Sequence, residues 1–68
     1  MSRKRLLLIS DMKKSPTYLL VVLVKRRRNR LPQWQLQVLH DIACERREGN
    51  PTDLDAEELL MEVDTWYL

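Results

Sequence analysis

Cys44 and His40 are the only cysteine and the only histidine of this chain, and they stand four residues apart, one turn of a helix. A thiol beside an imidazole is the pairing used by cysteine nucleophiles, in which the imidazole takes the thiol proton. The same two side chains could offer a metal two ligands, whereas a structural zinc site takes four. Against both uses, a lone cysteine among apolar helix positions behaves as a small packing residue far more often than as a nucleophile. A second cysteine for an intramolecular disulfide is lacking, and a single glycine, Gly49, cannot build a glycine-rich phosphate loop. These residues therefore point to a protein that is not an enzyme and needs neither cofactor nor metal.

The second group is Lys25-Arg26-Arg27-Arg28-Asn29-Arg30, with five positive charges in six residues. Such a cluster can neutralise several phosphates, and arginine can also pair in a bidentate manner with phosphate or with guanine edges. Lys25, Arg26, Arg27, Arg28 and Arg30 are accordingly the candidate nucleic-acid contacts, extended by Arg3, Lys4, Arg5, Lys13 and Lys14 if strand pairing brings these alongside. The competing use is a solvated basic segment that partners acids elsewhere in the chain. The aromatic residues Tyr18, Trp34, Trp66 and Tyr67 lie at apolar-periodic positions or element ends and not among the bases, so they read as core or interface residues and not as stacking platforms for bases.

Acids form the third group. Residues 1–34 hold ten Lys or Arg and one acid, for a charge of +9, while residues 35–68 hold nine acids and two bases, for −7. Asp53, Asp55, Glu57, Glu58, Glu62 and Asp64 spread around the polar side of a helix and do not converge as metal ligands would. A chain so divided suits a polyanion or an acidic surface at one end and a basic surface at the other, or neutralises itself within the fold or a dimer.

The elements that position these groups follow from periodicity. With 68 residues the chain supports one small domain, at a size where self-association commonly helps to stabilise the fold. Glu48-Gly49-Asn50-Pro51-Thr52 is a turn between two helices. The later one, over 52–68, begins at a Thr52 or Asp53 cap and carries the apolar stripe Ala56, Leu59, Leu60, Val63, Trp66 and Tyr67, with Leu54 and Met61 on the opposite side. The earlier one, over 32–48, has Pro32 at its first position and ends on Gly49 in a left-handed cap. Its apolar residues Trp34, Leu36, Val38, Leu39, Ile42 and Ala43 cover about half the circumference, which predicts packing on two sides.

Over residues 5–30 the apolar runs Leu6–Ile9 and Tyr18–Val24, separated by a polar connection and rich in branched side chains in the second run, predict a β-hairpin. The rival is a helix capped at Ser15-Pro16. The fold expected is thus α+β, a small ββαα domain in which a hairpin packs on two antiparallel helices, with an all-α three-helix domain as the alternative. In the hairpin reading the strand Tyr18–Val24 is apolar on both faces, and the two helices cover one of them. The other face needs a second copy or another protein. Tyr18, Leu20, Val22 and Val24, joined by Trp34 and Trp66, are therefore the expected partner or dimer interface.

A strand, Leu31-Pro32 at a helix start, and a second helix ending in Trp66-Tyr67-Leu68 resemble the ribbon-helix-helix repressors over residues 24–68. The register that Leu31 would set buries Asn29 and Arg27, where that family alternates apolar residues inward with polar residues toward DNA, and an unpaired arginine is costly to bury. Neither Leu6–Ile9 nor the seven-residue run Tyr18–Val24 approaches the roughly 20 apolar residues of a membrane span, and no secretory cleavage pattern follows the first run. The expectation is a cytoplasmic, non-enzymatic regulatory protein, a homodimer of the compact kind that suits a phage, virus or plasmid. It contacts DNA or RNA, or a nucleoprotein machine, through its basic segment. The alternative is a modulator or inhibitor that docks on a larger protein, or a small assembly subunit, without nucleic-acid contact.

Overall fold

The computed structural model describes residues 3–27 and 30–67, with side chains through Thr65, and folds them into four helices. These are α1 (Arg3–Lys14), α2 (Thr17–Arg26), α3 (Gln33–Gly49) and α4 (Leu54–Tyr67). Among the described residues there is no strand. The protein is all-α, which corrects the expected ββαα domain and removes the strand on which both the hairpin and the ribbon-helix-helix resemblance depend.

The reason lies in which side chains of residues 17–26 are buried. Leu20, Val21 and Val24 are 2%, 5% and 0% exposed. In a strand Val21 would point away from Leu20 and Val24, whereas in a helix the three share an arc of about 100°. One helical face therefore delivers all three to a single core. Each valine lowers helix propensity by up to about 0.7 kcal/mol relative to alanine. Burying a Leu or Val side chain stabilises by about 1.5–3 kcal/mol, so packing outweighs propensity here. The same logic governs α1, where Ile9 and Met12, three residues apart, turn toward the core while Leu6 and Leu7 stay exposed.

The core joins Met12 of α1, Leu20, Val21 and Val24 of α2, Leu36, Leu39, Ile42 and Ala43 of α3, and Leu59 and Val63 of α4. Helix α4 packs against both α2 and α3, and α1 leans on α3 over a smaller area. The broad apolar arc of α3 is thereby used on two sides, as its sequence predicts. Of the predicted α4 stripe, Ala56, Leu59 and Val63 are fully buried and Leu60 partly so, while the side chains of Trp66 and Tyr67 lie outside the described residues. Leu54 and Met61 lie outside at 76% and 66% exposure.

The helix ends are set by local chemistry. Pro32 sits one residue outside α3, where its carbonyl accepts from the N–H groups of Gln35 and Leu36. Gly49 remains helical without a positive φ, so the left-handed cap expected there does not form. The chain leaves the helix at Asn50, whose extended backbone (φ −149°, ψ 90°) suits a residue preceding proline. Asn50 Oδ1 accepts from the Thr52 hydroxyl at 2.7 Å and from its N–H at 3.2 Å, which leaves Asp53 to cap α4 through Oδ1 and the Ala56 N–H at 3.1 Å. Asp55 and Glu57 then occupy the first turn, favourably for the helix dipole.

Arg46 ties these ends together. Its guanidinium donates to the Thr17 hydroxyl at 2.9 Å, to the Lys13 carbonyl at 3.0 Å and to the Met12 carbonyl at 3.5 Å. Thr17 in turn donates to Asp53 Oδ2 at 3.5 Å. One side chain of α3 thus caps the end of α1, holds the start of α2 and reaches the cap of α4 through Thr17. Hydrogen bonds from a charged donor contribute about 1.5–3 kcal/mol when partly sheltered. Arg46→Ala is expected to lower unfolding free energy by about 1–3 kcal/mol, and Arg46→Lys, which lacks the fork, to restore less than half of that. Urea denaturation followed by circular dichroism measures both, and a loss below about 0.5 kcal/mol for the alanine variant would remove this role.

Candidate interaction site

The basic segment begins inside a helix. Lys25 and Arg26 form the last turn of α2, where positive charge favours the dipole, and Arg27 follows as its C-cap. Lys25 Nζ donates to Glu58 Oε1 of α4 at 2.6 Å, with both side chains a little under half exposed. Arg26, Arg27 and Arg30 are exposed, and Arg28 lies outside the described residues. One of the five candidate phosphate contacts is thus engaged by an acid of the same chain, the competing use of this segment.

Helix formation also divides the bases of α1 between its two ends. Lys13 and Lys14 stand at the opposite end of α1 from Arg3, about 15 Å away along the axis, so no strand pairing gathers them beside residues 25–30. The Arg5 guanidinium lies over the Trp34 ring, 4.9 Å from its centroid. That cation–π contact holds the start of α1 to the start of α3 and covers part of the half-buried Trp34, which sequence reasoning assigns to an interface.

The apolar surface is divided differently from the expectation. Leu20 and Val24 belong to the chain's own core, which removes them from any partner interface and removes with them the two-faced-strand argument for a dimer. Tyr18 and Val22 do face outward, at 56% and 41% exposure, joined by Leu19 at 46%. The side chain of Trp66 lies outside the described residues. Leu19 escapes a strand-based reading, because it becomes part of the outer face only when the run is wound as a helix. Helix α2 is then apolar on nearly all sides, a pattern normal for a helix covered all round.

Cys44 and His40 do meet across one turn of α3, with sulfur 3.9 Å from Nδ1. At that distance any hydrogen bond is weak. His40 Nε2 lies 3.4 Å from Asp64 Oδ1, so the imidazole links α3 to α4. Beside the half-buried thiol is an open depression of about 340 Å³ lined by Cys44, Arg47, Glu48, Pro51 and Leu60. Among the described residues no three His, Cys, Asp or Glu side chains converge to hold a metal ion. No helix among them is long and apolar enough to cross a membrane. Compared with protein-family models, with curated proteins and with solved structures, the chain matches none.

Exposed ion pairs contribute little in water. A double-mutant cycle of Lys25→Met and Glu58→Gln is expected to give a coupling of about 0.2–1 kcal/mol at low salt that shrinks in about 0.5 M salt, where screening is short-ranged. A coupling that ignores salt would contradict an exposed electrostatic contact.

Proposed function

We propose that this protein is a non-enzymatic interaction module that docks on protein through the outer face of α2, as a modulator or a small assembly subunit. The observation that carries this reading is the exposure of Tyr18, Leu19 and Val22 together on one face of a helix whose other face is fully used by the core. Exposing neighbouring apolar side chains on a monomer is unfavourable unless a partner covers them. The arginines at the end of the same helix add solubility and bias the choice of partner toward an acidic surface.

A nucleic-acid contact is the second reading, favoured by the exposed Arg26, Arg27 and Arg30 following directly on α2. It is weakened by the engagement of Lys25 with Glu58.

Two measurements on the full chain separate these readings. A benzophenone amino acid placed at Leu19 is expected to form protein adducts in cells producing the chain, while the same probe at Glu48 on α3 forms none; no adduct at Leu19 would overturn the docking site. Purified protein is expected to bind random duplex DNA and single-stranded RNA weakly if at all at low salt. Salt-sensitive binding abolished by changing Arg26, Arg27, Arg28 and Arg30 to Ser would transfer the function to the basic segment.

A further inference from the structure

We propose that the occupant of the α2 outer face is a second copy of this chain, presenting the outer face of its α4, so that copies associate head to tail. The inference rests on the docking reading above and names its partner. Leu54 and Met61 are seven residues apart, two turns of helix, and form a single exposed line on the side of α4 away from its buried Ala56, Leu59 and Val63. At 100° per residue Glu58 and Glu62 flank that line on one side, and Glu57 and Asp64 on the other. The helix contains no Lys or Arg. An apolar spine edged by acids is the complement of the α2 face, which has an apolar centre, no acid and a basic last turn.

Charge sign selects this pairing over the two symmetric ones. In a parallel pairing of two α2 faces Arg26 and Arg27 of each copy would meet, and in an antiparallel one they would meet the acid-free start of the partner's α2; two α4 faces would oppose acids to acids, whereas α2 against α4 alone opposes unlike charges. Within one chain, α2 and α4 already pack side by side and are linked by Lys25 and Glu58, so the same chemistry repeats on their outer sides. An antiparallel alignment sets the basic end of α2 against the acidic first turn of α4, with opposite dipole ends adjacent. Helix α2 is about 15 Å long and the Leu54–Met61 spine about 10 Å, so one helix spans the other's apolar line. Because the contact uses different surfaces on the two copies, it propagates into rings or open chains. A single helix pair is a small interface, so association is weak and concentration-dependent.

The test is analytical ultracentrifugation of the full chain from about 10 μM to about 1 mM. Two variants block one face each without adding charge: Leu19→Gln with Val22→Gln, and Leu54→Gln with Met61→Gln. All four positions are exposed, and circular dichroism verifies helicity; serine at the same positions replaces any variant that fails to fold. Wild-type mass is expected to climb with concentration past twice 8.2 kDa, while each variant stays at 8.2 kDa. An equimolar mixture of the two variants is expected to form a species of twice the chain mass, because each retains the face the other lacks. Wild-type protein that stays at 8.2 kDa throughout overturns the proposal, as does association that survives either pair of substitutions or a mixture that stays monomeric. In those cases adducts with a different protein at Leu19 would leave the docking reading standing, so the two can fail separately.

Discussion

The position of Arg46 constrains every other element of this fold. Near the C-terminal end of α3 its guanidinium meets the last carbonyls of α1 and the first side chain of α2, and through the Thr17 hydroxyl it reaches the aspartate that caps α4. Positive charge lies against the negative end of α1, and the Asp53 carboxylate lies at the positive end of α4, so the network also agrees with the helix dipoles. A chain of this size has a small apolar core, and α1 contributes only Met12 to its fully buried part. Polar anchoring at one end and the Arg5–Trp34 contact at the other hold in place a helix that hydrophobic burial alone holds loosely.

That arrangement determines what α2 can do. Its inward face packs on α4 and enters the common core, and the same run of apolar residues leaves Tyr18, Leu19 and Val22 on the outside. A solvent-facing helix ordinarily carries polar residues there. Apolar side chains that add nothing to the chain's own core are most simply understood through what they contact outside it, and the charges nearby set the sign of that contact.

The charge division between the two halves is partly resolved inside the molecule. Helix α4, acidic throughout, lies between the basic end of α2 and the His40 side of α3, and Lys25–Glu58 and His40–Asp64 mark its two seams. What remains is displayed outward, basic after α2 and acidic along α4. The net charge of +2 conceals this dipolar surface. Electrostatics of this kind orients and selects partners more than it strengthens binding.

The amino-acid sequence by itself determined the two later helices, the turn between them, the buried stripe of α4 with Leu54 and Met61 outside it, and the two-sided burial of α3. In these segments the apolar periodicity and the turn residues agree, although the cap at Gly49 takes a form the sequence does not predict. It also determined the charge division and placed Cys44 one turn from His40. Tertiary structure alone decided the state of residues 3–27. Their short apolar runs satisfy strand and helix patterns equally, and valine propensity favours the strand. The arbiter is the location of the partner surface: α3 and α4 offer one apolar face, and only a helix directs Leu20, Val21 and Val24 to it together. That single choice moved Leu20 and Val24 from a supposed interface into the core, brought Leu19 to the surface and drew Lys25 to Glu58. It also gave Arg46, legible beforehand only as a charge near a helix end, its task of joining the four helices, because the carbonyls and hydroxyl it binds come together only when α1 and α2 are wound.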